Sequence, residues 1–134
     1  MGRTGIRIDK PTEKAVCEIL KSRARSRIYL YLLRKNGAKT EQIIKGTHLH
    51  PSTVRETLSQ MHDQHLICRK KLKNDNIGKN PYIYRAIPPI KLLKGYAREI
   101  EDRLNKLASL AFSSEDAEKY RPVRIRICER GEEE

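Results

Sequence analysis

The sequence predicts an α+β fold that is mainly α: a winged helix-turn-helix with a β-hairpin wing and a long C-terminal dimerisation helix. Three observations point there. Short amphipathic segments follow one another up to about residue 64, with turn chemistry between them. Two β-prone runs then flank a stretch rich in turn residues, Lys73 to Pro81. Finally, apolar residues recur at an unbroken 3-4 spacing from Ile90 to Ala111.

The elements follow in order. Residues 1–10 read as an extended arm. Pro11-Thr12-Glu13-Lys14 opens a first helix, with proline early and an acid in the first turn, and Val16, Ile19 and Leu20 form its apolar face. A second helix spans roughly Arg23 to Lys35. Ile28, Leu32 and Leu33 face inward, and Asn36-Gly37 ends it. Thr40 is expected to cap a third helix, Glu41 to Lys45, burying Ile43 and Ile44. Gly46-Thr47-His48-Leu49 reads as a turn. Pro51 then takes the first position of a fourth helix, on which Val54, Leu58 and Met61 share one face. Strands are expected at Ile67 to Leu72 and Tyr82 to Ala86. Pro88-Pro89 breaks the chain before a long helix from about Ile90 to Ala111. Near the end, Val123 to Cys128 alternates apolar and arginine residues, which predicts a short strand, with Ile6-Arg7-Ile8 as its candidate partner. Four segments result: an arm and extra helix (1–22), the winged helix-turn-helix (23–88), the long helix (89–111) and a tail (112–134).

Composition narrows the function. The chain has 134 residues, 34% of them charged, and a net charge of +12. Residues 1–110 carry 24 Lys and Arg against 10 Asp and Glu, or +14, and residues 111–134 carry 5 against 7, or −2. A body this positive attracts polyanions, nucleic acid first. Aromatic residues are few, six Tyr and one Phe, so a base-stacking surface is not expected. No apolar run approaches the roughly 20 residues of a membrane span, and no signal peptide opens the chain. The three cysteines, Cys17, Cys68 and Cys128, form no CxxC pair, which argues against zinc and a disulfide framework and fits a reducing cytoplasm. His62 and His65 stand three apart and His48 and His50 lie in the turn, but they do not make a convincing ligand set. No metal and no cofactor are expected. No nucleophile–base pair and no phosphate-cradling glycine loop appear, so an enzyme is not expected either.

Behind Pro51 the fourth helix presents Ser52, Thr53, Arg55, Glu56, Ser59 and Gln60 outward. The N-terminal part of such a helix meets base edges in the major groove. Thr53 suits a thymine methyl, Arg55 a guanine or a phosphate, and Glu56 a cytosine amine; Ser59 and Gln60 suit the backbone. A plainly solvated helix face would look similar, and the hairpin tips the balance. Arg69, Lys70, Lys71, Lys73, Lys79 and Arg85 face one acid, Asp75. A lysine-guarded edge strand explains one or two of these cations, not six. In the long helix, Ile90, Leu93, Ala97, Ile100, Leu104, Leu107 and Ala111 hold the a and d positions of a coiled coil, with small alanines allowing close approach. A second copy is the expected partner, against packing on the chain's own helices.

The segment "GAKTEQIIKGTHLHPSTVRETLSQMHDQHLICRK", followed by "NPYIYRAIPP" running into the long helix, resembles the DNA-binding domain of TrmB-like transcriptional regulators, over about Arg23 to Leu110. It is more distantly similar to MarR-type and ArsR-type regulators. The resemblance implies a prokaryotic, most commonly archaeal, protein. Two departures stand out. His48 sits where the turn usually has glycine, and Gly46 where an apolar residue is common. His48 is therefore expected to take a left-handed backbone, which His tolerates better than most residues. TrmB-like regulators carry a C-terminal effector-binding domain, whereas this chain stops about two dozen residues after the long helix, so sugar sensing is not expected to carry over and no small-molecule effector is identifiable. The expected function is sequence-specific binding of double-stranded DNA by a homodimer. The rivals are a protein-interaction adaptor of the transcription machinery, which needs an apolar exposed recognition helix, and an architectural nucleic-acid binder without sequence preference.

Overall fold

The computed structural model describes residues 7–72, 82–111 and 120–129. The chain divides into two compact units, Met1–Ile87 and Pro88–Glu134.

The first unit opens with α1 (Lys10–Leu20). Asp9 caps it, its carboxylate accepting from the Thr12 N–H at 2.9 Å. Hydrogen bonding from Thr12, its side chain first and its backbone N–H second, holds the Asp9 carboxyl below its ordinary range. Lys21 ends the helix in a left-handed conformation. Ser22 then caps α2 (Arg23–Lys35) by accepting from the Arg25 N–H at 3.1 Å, and Asn36 closes it at φ 57°. Here α2 is the core's centre. It buries Ile28 and Leu32 as expected, and also Tyr29 and Leu30; Leu33 is only half-buried.

Two expectations are corrected at α3 (Thr40–Thr47). Thr40 is the first helical residue and not the cap; Lys39 stands at the cap, and its N–H donates to Gln42 Oε1 at 2.8 Å. The helix also takes in Gly46 and Thr47, so the turn is shorter than predicted. Ile43 is fully buried and Ile44 half-buried. His48 does take the left-handed backbone, at φ 61°. From there α4 (Pro51–Asp63) buries Val54, Thr57, Leu58 and Met61. A turn through His65, again left-handed, leads into the wing.

The wing pairs β1 (Ile67–Lys71) antiparallel with β2 (Tyr82–Ala86), Arg69 opposite Tyr84 and Lys71 opposite Tyr82. The predicted first strand stops one residue short of Leu72. Ala38, between α2 and α3, adds a bridge: it exchanges two backbone hydrogen bonds with Tyr84, at 3.0 and 2.9 Å. This single residue ties the helical core to the hairpin. The Tyr29 hydroxyl ties the hairpin's exit, donating to the Ile87 carbonyl at 2.8 Å. Helices, turn and hairpin together make a winged helix-turn-helix.

The second unit contains α5 (Pro89–Ala108), which tightens into a 3-10 turn at Ser109–Ala111. Residues 120–129 lie along it, and here the predicted strand is corrected. No strand forms at Val123 to Cys128, and neither Arg7 nor Ile8 is in one. Asn105, only 4% exposed, instead takes both backbone groups of Val123, its Nδ2 donating to the carbonyl at 3.0 Å and its Oδ1 accepting the N–H at 2.9 Å. Glu101 accepts the Ile125 N–H, Arg121 pairs with Glu101 and Asp102, and Lys94 pairs with Glu129. An extended segment can thus satisfy its backbone on helix side chains. The Asp102 and Glu101 carboxylates also raise the Arg121 pKa, through the Asp102 hydrogen bond first.

Candidate nucleic-acid interface

The N-terminus of α4 is organised by a residue that the sequence did not mark as functional. His50 is the N-cap: its Nδ1 lies 3.2 Å from the Ser52 N–H, which donates to it, and 2.9 Å from Ser52 Oγ. Accepting at Nδ1 leaves the neutral ring's proton on Nε2, and the side chain is exposed. Histidine is not among the usual cap types, which is why the cap was not legible.

Along α4 the structure places Ser52, Arg55, Glu56, Ser59 and Gln60 on the exposed side and leaves Thr53 half-buried. Arg55 and Glu56, although adjacent, do not pair, and neither side chain makes a hydrogen bond or ion pair among the described residues. Gln60 is engaged: its Oε1 accepts from Arg25 Nη2 at 3.4 Å. This brings Arg25 of α2 beside the helix, a neighbour 35 residues away that helical spacing does not reveal. Behind the turn, Arg27 Nη1 donates to the Thr47 carbonyl at 3.2 Å, a cation on the C-terminal end of α3. The Thr47 hydroxyl donates to the Ile43 carbonyl and accepts the Leu49 N–H, holding the chain as it leaves α3.

In the wing, Arg69, Lys70, Lys71 and Arg85 are exposed. Strand alternation divides them: Arg69 and Lys71 project from one face of the hairpin, Lys70 from the other. The Arg69 guanidinium stacks over the Tyr82 ring at 4.4 Å from its centroid, a diagonal cross-strand pair that orients it without neutralising it. Lys70 and Lys71 make no ion pair among the described residues. Lys73 and Lys79 lie outside the described residues.

The apolar row of α5 is largely open to solvent. Leu93, Leu104 and Leu107 are 45%, 40% and 64% exposed, Ile90 and Ala111 are exposed, and Ala97 and Ile100 are half-buried. No helix among the described residues is long and apolar enough to cross a membrane.

Residues 22–90 match the family model described as "Sugar-specific transcriptional regulator TrmB". Among solved structures, the chain is similar to a possible transcriptional regulator from Methanosarcina mazei Go1, with a TM-score of 0.59 at 18% identity, over 79% of this chain and 91% of that one; the likeness is one of fold. NadR in complex with 4-hydroxyphenylacetate aligns with a TM-score of 0.49 at 12% identity, over 76% of this chain and 72% of that one. No curated protein matches the chain.

Proposed function

Because the chain belongs to the TrmB family of transcriptional regulators, we propose that it is a cytoplasmic regulator that binds double-stranded DNA sequence-specifically as a homodimer. In this reading residues 23–88 are the DNA-binding domain, 89–111 the dimerisation helix, and 1–22 and 112–134 flanking segments. The exposed side chains at the start of α4 carry the proposal. Arg55 and Glu56 stand on a helix whose opposite face is locked into the core, so their positions are rigid while their donors and acceptors are free, and Ser52 is exposed beside them with its hydroxyl held by His50. Such a row reads base edges in the major groove, with Thr53 at its margin and Ser59 and Gln60 nearer the backbone. The wing cations Arg69, Lys70 and Lys71, with Lys73 and Lys79, supply the sequence-independent attraction to phosphate or to the minor groove.

The test is selection of bound genomic fragments at physiological salt, followed by two variants on the selected site. Arg55→Ala is expected to relax preference at one base position, at a cost of about 1–3 kcal/mol there. Lys70→Ala with Lys71→Ala is expected to weaken all sequences alike. It should also lower the slope of log K against log salt by about 0.9 for each phosphate that is no longer neutralised. Absence of any enriched sequence, with both variants binding like the parent, would overturn the reading.

A further inference from the structure

We propose that the cleft between α1, α2 and the end of α3 is a binding site for a small organic phosphate with a compact apolar body. The cleft measures about 620 Å³, inside the range of small-molecule sites, roughly 300–1,000 Å³. Lys10 and Lys14 of α1 and Arg23, Arg27 and Arg34 of α2 line it, against one carboxylate, Glu13. These cations recur at helical spacings of four and seven, one and two turns apart, so one face of each helix brings positive charge to the same concavity. Like charges on neighbouring turns repel. No ion pair relieves them: Lys10, Lys14, Arg23 and Arg34 make none among the described residues. Apolar walls around a single-sign cluster focus its field and concentrate anions there.

A second observation is independent of charge. Ser26 also lines the cleft and is only 5% exposed, yet its hydroxyl makes no hydrogen bond among the described residues. A buried hydroxyl ordinarily has a partner, and a ligand oxygen seated at the cleft's floor provides one. Arginine forks suit phosphate oxygens, and a dianion neutralises this lining better than a single charge. Leu30 and the Tyr31 ring supply the surface for an apolar body. The depth of Ser26 also selects among phosphates. A duplex backbone stays at the protein surface, while a small molecule reaches the floor.

Phenyl phosphate serves as the probe, followed by calorimetry and by amide chemical shifts on the whole chain. It is expected to bind one to one with a submillimolar Kd, and phenol, lacking the charge, at least tenfold more weakly. Arg23→Gln with Arg34→Gln is expected to weaken the probe at least tenfold. Ser26→Ala removes only an unpaired hydroxyl, so the fold should stand while probe affinity drops severalfold. No binding of the probe at several millimolar overturns the proposal. So does binding that Ser26→Ala leaves unchanged, which would put the anion on the outer cations alone. If the paired arginine variant loses affinity for a DNA duplex while the parent ignores the probe, the cleft is a backbone contact and the small-molecule site falls. None of these outcomes depends on how α4 reads DNA.

Discussion

A β-carbon added to Gly46 would stand 2.8 Å from Cδ1 of Tyr31 and closer still to its Cε1 and Cζ, so the Tyr31 ring lies against α3 only because residue 46 is glycine. This accounts for the glycine at a position where the family resemblance led one to expect an apolar side chain: the apolar volume comes from α2. Gly46→Ala should gain helix propensity on an isolated segment yet destabilise the protein, because the whole ring must move. The expected loss is about 1–3 kcal/mol, as for overpacking generally, read as a lower urea midpoint with an unchanged m-value. A variant as stable as the parent would mean that Tyr31 leaves its seat without cost.

Local signals made much of the fold legible. The expected start near Arg23 and the stop at Asn36-Gly37 bracket α2 where the structure does, and the period of Val54, Leu58 and Met61 marks the buried side of α4. What escaped depends on partners distant in sequence. Alternation at Val123 to Cys128 reports an extended chain, but not that its hydrogen bonds go to Asn105 and Glu101 on a helix instead of to a strand. Ala38 has no strand propensity, and its bridge to Tyr84 exists because α2 and α3 deliver it to the hairpin. At the candidate interface, the outward row of α4 followed from helical period alone, except that Thr53 is half-buried. The Arg25–Gln60 hydrogen bond and the cationic cleft arise where separate helices converge, which no window of one helix contains.

Tyr29 carries a pH dependence. It is 1% exposed, and burial pushes its phenol from the ordinary value near 10 up to about 12. The unfolded chain therefore releases this proton first as pH rises. Its contribution to stability is complete below pH 10 and declines between about 10 and 12. Urea unfolding at pH 9 and 11 should show a steeper loss for the parent than for Tyr29→Phe. At pH 7 the same variant should cost about 1 kcal/mol, from the lost hydrogen bond to the Ile87 carbonyl. Parallel losses at alkaline pH would mean that the phenol is not held protonated.

The His50 cap separates stability from recognition. His50→Ala should cost about 1 kcal/mol, because the Ser52 N–H loses its acceptor at the start of α4. His50→Asn keeps an acceptor at that position and should restore most of the loss in thermal unfolding. If both variants melt like the parent, water replaces the imidazole without penalty and the cap contributes nothing.

The exposed stripe of α5 makes the dimer testable. Leu93, Leu104 and Leu107 leave much of their surface in water in the single chain, and a second copy of the helix would cover them at the 3-4 spacing of a coiled coil. Sedimentation of the parent should give twice the mass of one chain at tens of micromolar. Leu104→Asp would place an unpaired carboxylate in the seam, at a cost of several kcal/mol, and should yield a monomer. Because α5 belongs to its own compact unit, the helices and hairpin up to Ile87 should keep their fold in that monomer. If two-fold pairing carries two α4 helices to successive major grooves, about 10 base pairs apart, the preferred site should be an inverted repeat. The monomeric variant would then hold one half-site and lose most of the parent's affinity. A monomeric parent, or a Leu104→Asp variant that still sediments as a dimer, would remove the long helix from the assembly and leave its apolar row to another role.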